Sequence, residues 1–163
     1  MTGFTLVELL VALVVMAILV AIAAPAFQNL LERQRLEGVA ETFLSDLRAA
    51  RADALVLGLS GTVTVTINDG SSWNYTIVSS GNTPTVSRTY TDYGGAVTAA
   101  VTGWNKAGST AAFTITSVRD LDSSGTGSIT FTLGSLSAQI ESNLLRGSFV
   151  CSANGDLGYV TCS

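Results

Sequence analysis

The chain has no histidine. That removes the commonest general base and a frequent metal ligand. Charge is scarce as well: Asp, Glu, Lys and Arg make up 12% of 163 residues, and the balance is −4. A sequence pI of about 4.5 argues against a general electrostatic grip on nucleic acid. Cysteine is limited to Cys151 and Cys162. The pair reads either as two free buried thiols or as a disulfide, and an exported chain favours the disulfide. Closing so short a loop would contribute about 3 kcal/mol on the loop-entropy model. A Walker loop, a zinc cluster and a Ser/His/Asp set are also missing. The chain is therefore not read as an enzyme, and no cofactor is implied.

What is abundant is apolar surface. Apolar residues make up 47% of the chain and the mean hydropathy is +0.45, with the apolar residues concentrated between Leu9 and Phe27. From Leu9 to Leu31 there is no charged residue, and about 20 apolar residues suffice to span a bilayer as a helix. Ala24-Pro25-Ala26 imitates a signal-peptidase site, but no basic segment precedes the run and a helical pattern continues past it. Leu36, Val39, Ala40, Phe43, Leu44, Leu47, Ala50, Ala54 and Leu55 recur at spacings of three and four, with charges mostly between them. One long helix is predicted, apolar all round in its first half and one-faced in its second. Pro25 predicts a kink or local loosening inside it. Gly58 and Gly61 predict its end.

After Gly61 the period changes to two. Val63, Val65 and Ile67 alternate with threonines, Asn68-Asp69-Gly70 turns the chain, and Trp73, Tyr75 and Ile77 alternate on the return. Further strands are expected near 85–90, 96–102, 111–118, 128–133, 146–151 and 158–162. The fold class is α+β: a long, partly transmembrane helix whose apolar face packs on an antiparallel β-sheet. The expected organisation is a leader at 1–3, a transmembrane and assembly half at 4–31, an amphipathic half at 32–57 and a β-rich globular domain at 58–163.

Glu8 stands at the start of the uncharged run. A carboxylate at mid-membrane depth costs about 2.5–3.5 kcal/mol and calls for a partner; at the membrane edge the cost is small. Position alone leaves both readings open. The stretch Gly3-Phe4-Thr5-Leu6-Val7-Glu8-Leu9-Leu10 resembles the processing site of type IV prepilins and type II secretion pseudopilins. The resemblance implies cleavage between Gly3 and Phe4 by a membrane peptidase, and N-methylation of Phe4. It also implies that Glu8 pairs with the terminal amine of a neighbouring subunit, and that Pro25 is the family's helix-breaking proline. The leader here, Met1-Thr2-Gly3, lacks the usual basic residues, and Arg33 and Arg35 lie beyond the run. The positive-inside rule thus gives the family's orientation no support. Either the true start lies upstream or the leader is short.

Leu47-Arg48-Ala49-Ala50-Arg51-Ala52-Asp53-Ala54 resembles a stretch of the H-type minor pseudopilins and FimT-like minor pilins. Ile129-Thr130-Phe131-Thr132-Leu133-Gly134 resembles their next-to-last strand and turn. The resemblance implies a non-enzymatic minor subunit of a type IV pilus or type II secretion pseudopilus. Its partners would be other pilin or pseudopilin subunits, a prepilin peptidase, an inner-membrane assembly platform and, before assembly, membrane lipid. Its place would be the bacterial inner membrane, crossed once with the globular domain periplasmic, and then a periplasmic or extracellular filament. The alternatives are a major structural pilin, or a DNA- or ligand-binding competence or adhesion subunit. Arg48 and Arg51 are read as a solvated helix face in preference to a family-specific role. Some FimT-like proteins bind DNA through arginines after a C-terminal glycine. The matching place here, Asn154-Gly155-Asp156-Leu157-Gly158, offers an aspartate instead, so DNA is not expected as a partner. Asp120, Asp122 and Ser124 resemble the first half of a calcium loop, but Phe131 replaces the glutamate such a loop needs at its twelfth position. An acidic turn is the reading, with no metal expected.

Overall fold

The computed structural model describes residues 5–58, 61–80, 86–116, 126–143, 147–155 and 157–162, with the backbone alone at Pro25 and Asn143. The chain divides into two compact units, Met1–Gln34 and Arg35–Ser163.

A single helix, α1 (Leu6–Val56), runs through both units. In the first unit nothing covers it: residues 5–24 are all exposed. In the second unit the helical period becomes a buried stripe. Leu36, Val39, Ala40, Phe43, Leu44, Leu47, Ala50 and Ala54 are each no more than 4% exposed. Leu55, predicted for the same stripe, is 59% exposed. It lies one position past Ala54 and so about 100° round the helix, off the packed face. Beyond α1, Gly58 adopts a left-handed φ of 74°, which suits a glycine closing a helix. The assignment of α1 is unbroken through Pro25; the proline still withholds one backbone donor there.

Among the described residues eight strands follow: β1 (Thr62–Asn68), β2 (Asn74–Ser79), β3 (Val86–Thr89), β4 (Thr98–Gly103), β5 (Thr110–Thr116), β6 (Gly127–Leu133), β7 (Leu136–Asn143) and β8 (Gly147–Cys151). They form two four-stranded sheets rather than one, ordered β3-β2-β1-β5 and β4-β6-β7-β8. All the pairings within them are antiparallel. The predicted β1–β2 hairpin is present, with Ile67 opposite Tyr75. Strand β7 was not predicted. Among the described residues two strands follow β6, so the Ile129–Leu133 segment is third from last rather than next to last. The predicted strand at 158–162 is a single bridge, Ser152 to Thr161. Gly155 and Gly158 take left-handed φ values of 71° and 79°, which breaks an extended run.

Phe43 joins the three layers. Its ring meets Tyr75 of β2 edge-on at 4.9 Å and Phe131 of β6 at 5.9 Å. Trp73 lies 5.1 Å from Phe131 and donates its indole N–H to the Val97 carbonyl at 2.8 Å. Burying a side chain of this size stabilises by about 1.5–3 kcal/mol. The turn after β1 fastens the sheets together. Gly70 exchanges two backbone hydrogen bonds with Ala99 at 2.8 and 3.1 Å. The Asp69 carboxylate accepts the Val101 N–H at 3.3 Å and pairs with the Lys106 ammonium. The lysine's hydrogen bond holds the Asp69 carboxyl below its ordinary pKa.

Candidate functional site

The site begins at the first described residue. Thr5 immediately precedes α1, and its hydroxyl accepts the Glu8 backbone N–H at 3.3 Å. The Thr5 carbonyl accepts the Leu9 N–H at 3.2 Å. Thr5 is thus the N-cap, satisfying donors that a helix start leaves orphaned. Glu8 falls at the third helical position, where the Thr-x-x-Glu pattern of a capping box places its acid. The sequence reading above gave Glu8 no such local role, although Thr5-Leu6-Val7-Glu8 spells the pattern.

The cap bears on what Glu8 can do. A carboxylate in the first turn is favoured by the helix dipole by about 0.3–1 kcal/mol. At mid-membrane depth the same group costs about 2.5–3.5 kcal/mol. The local term is smaller, so a deeply placed Glu8 still needs a cation from elsewhere. Among the described residues of the first unit no lysine or arginine lies before Arg33.

Behind Glu8 the helix is apolar on every side, with an 18-residue window of mean hydropathy 3.0 and none of it buried. Leu6, Val7, Leu13, Leu19 and Ile22 are each at least 60% exposed. A helix apolar all round belongs in lipid or inside an assembly. From Glu8 to Leu31 the rise is about 35 Å, enough to cross a hydrocarbon core of about 30 Å. Pro25 lies about 25 Å along the axis from Glu8, so the two residues act at different depths. Gly3 and Phe4 lie outside the described residues, as do Asp120, Asp122, Ser124 and Asp156. Phe131, the residue at the twelfth position of the calcium-like pattern, is fully buried in the core.

Residues 2–24 match the prokaryotic N-terminal methylation motif. The chain has a type IV prepilin-like N-terminus. The match covers Gly3, Phe4 and Glu8 and stops one residue before Pro25. It joins an α+β architecture consistent with the type IV pilin fold, in which the helix that follows the motif packs on antiparallel sheets. No curated protein and no solved structure matches the chain. A pilin-like precursor with an N-terminal apolar helix fits a membrane-anchored subunit that assembles with others of its kind and is processed by a prepilin peptidase.

A disulfide tethers a loop in the second unit. Cys151 and Cys162 form a disulfide with Cα atoms 5.1 Å apart. Between them, Leu157 packs on the core and the Tyr159 hydroxyl donates to Glu41 Oε1 of α1 at 3.1 Å. Burial, then the Glu41 hydrogen bond, push the Tyr159 phenol up to about 12. Glu141 lies close to both sulfurs, but sulfurs joined to each other supply no thiolate for a metal. A second helix-to-sheet tie is made by Asp46, whose carboxylate accepts the Tyr75 hydroxyl at 2.8 Å and Arg88 Nε at 3.4 Å. Burial first, and the carboxylate second, raise the Tyr75 pKa. Arg48 and Arg51 are exposed on α1.

Proposed function

We propose that the chain is the precursor of a minor pilin or pseudopilin, a non-enzymatic filament subunit of a type IV pilus or type II secretion pseudopilus. Cleavage between Gly3 and Phe4 leaves a methylated Phe4 amine one residue ahead of the Thr5 cap. That terminus carries the positive end of the helix dipole as well as the amine charge, and so attracts a carboxylate. Glu8 of an adjacent subunit supplies it. Once lipid and water are excluded, amine and carboxylate each need the other, because an unpaired buried charge is strongly unfavourable. The pair sets the stagger between subunits. The apolar half of α1, within 4–31, moves from lipid into the filament core at little cost, since both surroundings are apolar. The globular domain lies on the periplasmic side of a single crossing of the inner membrane, where an assembly platform draws the subunit out. The Cys151–Cys162 bridge fits that oxidising compartment.

The observation that carries this reading is the methylation motif leading directly into a helix with no cover of its own. The minor rather than major role rests on the resemblance of residues 47–54 to H-type and FimT-like subunits. Mass spectrometry of protein from sheared filaments tests both points. The expected result is an N-methylated Phe4 terminus at low abundance relative to the main subunit. A mature chain starting at Ala26 overturns the processing, and dominance of the filament by this chain makes it a major pilin.

A further inference from the structure

At one end of the second sheet the register lines up four side chains across four strands: Thr102 on β4 opposite Ser128 on β6, Ser128 opposite Glu141 on β7, and Glu141 opposite Phe149 on β8. Residues directly opposite share a face. It is the outer face, because the adjoining Val101, Ile129 and Ile140 are buried in the core and strand neighbours alternate. Next to this row runs a lower one, where Gly103 faces Gly127. The step between the rows is an open cleft of about 360 Å3, lined by Thr102, Gly103, Gly127, Ser128 and Glu141 among others. That lies within the roughly 300–1,000 Å3 typical of small-molecule sites.

The floor rests on a tight turn closed by the Lys106 N–H to the Gly103 carbonyl at 3.1 Å, and it carries a local cost. Trp104 and Asn105 hold left-handed φ values of 50° and 51°, a genuine outlier for a residue as bulky as tryptophan. Trp104 is fully buried, and its indole N–H has no partner among the described residues, a loss of about 1–3 kcal/mol for a buried donor. Its ring lies directly beneath Gly127, where any Cβ would collide with the indole. On its other side it packs against Phe113 of the first sheet at 4.7 Å. Strain and an orphaned polar group beneath a glycine-floored cleft are the signs of a site kept open for a ligand.

We infer that this cleft binds a neutral saccharide. Thr102 and Ser128 offer hydroxyls that both donate and accept, and Glu141 accepts strongly from sugar hydroxyls. Gln139 donates to Glu141 Oε1 at 3.0 Å and so fixes the carboxylate. The outward residues of β4, β6 and β7 are hydroxyl, amide or alanine side chains, with Glu141 the one charge among them. Among the described residues that line the cleft, Glu141 is the one charge, and it disfavours an anionic ligand such as a phosphate or uronate. Phe149, half-buried at the end of the row, presents an aromatic ring to the apolar C–H face of a pyranose. The cleft has room for about one ring, and further units would lie along the hydroxyl-rich face.

The test is saturation-transfer NMR on the full chain in lauryldimethylamine oxide micelles, a detergent with no sugar headgroup. The probes are oligosaccharides of glucose, galactose, mannose and N-acetylglucosamine, with sialyllactose as the anionic comparison. At least one neutral probe is expected to receive transfer and to outcompete sialyllactose. Thr102→Val and Glu141→Gln both keep the local shape and leave the core untouched. Each is expected to weaken that binding at least fivefold, with the unfolding midpoint unchanged. The proposal is overturned by silence across the neutral panel, by stronger binding of sialyllactose, or by binding that neither substitution alters.

Discussion

Between Thr5 and Gln34, α1 turns leucine, valine and isoleucine outward on every side; between Arg35 and Val56 it buries one face under two sheets. Both halves are α-helical, so helix propensity does not distinguish them. What differs is where burial comes from. The second half finds its apolar partners in its own chain, at Tyr75 and Phe131. Among the described residues the first half has none, and Glu8 at its tip has no lysine or arginine ahead of Arg33. A segment of this composition is stable only with lipid or neighbouring copies around it. The contrast separates the work of the helix: one half holds a domain together and the other is left for an assembly.

Breaking the first half alone gives the largest expected effect. Glu8→Ala should reduce incorporation into filaments to below a tenth of wild type when it is the only copy present. Membrane insertion and domain unfolding should stay as they were. Immunoblots of sheared filaments and membrane fractions, with a thermal melt, read all three. Wild-type incorporation would erase the functional difference between the halves.

Breaking the second half should do the reverse. Phe43→Ala removes the ring that spans helix and both sheets, and should cost about 3–5 kcal/mol in denaturant unfolding of the domain. The membrane association of the first half should persist. Somewhat smaller is the effect of removing the Cys151–Cys162 bridge by a double serine substitution, about 2–4 kcal/mol, again confined to the domain.

The smallest expected effect sharpens the comparison at one hydrogen bond. Tyr159 has a raised folded pKa of about 12, against roughly 10 unfolded. Its contribution is fully present below pH 10 and is lost as pH rises toward 12. The site is solvent-accessible, so Tyr159→Phe should cost only about 0.5 kcal/mol at neutral pH. It should also shift the alkaline unfolding limb of the second unit. A limb that does not move would mean that Glu41 holds nothing.

The helix and the β1–β2 hairpin were legible because their periods are strong and local. Leu36 through Ala54 repeat at three and four, and Val63, Val65 and Ile67 at two. Strand β7 escaped because its inward positions, Leu136, Ala138, Ile140 and Ser142, mix large apolar residues with small ones, and it follows β6 through the two-residue Gly134-Ser135 turn. A Gly-Ser pair between Leu133 and Leu136 is a hairpin signal that was there to be read. The division into two sheets had no local signature, since it depends on β4 passing over β5 to pair with β6. In the candidate site, the residues 2–24 motif was visible in full, whereas the Thr5 cap was overlooked beside the more prominent Glu8. The row from Thr102 to Phe149 was invisible, because it gathers residues from four strands that only the register brings into line.

The tether between Tyr159 and Glu41 spans 118 positions of sequence, and the bridge beside it uses the last cysteine. A chain threaded N-terminus first through a narrow passage delivers Glu41 early and Tyr159 118 positions later. Nearly the whole domain can therefore collapse on α1 while its fastening is still in transit, and the final turn of the loop works as a timed latch. Without Tyr159 and Cys162 the domain would fold but lack both fastenings of the loop.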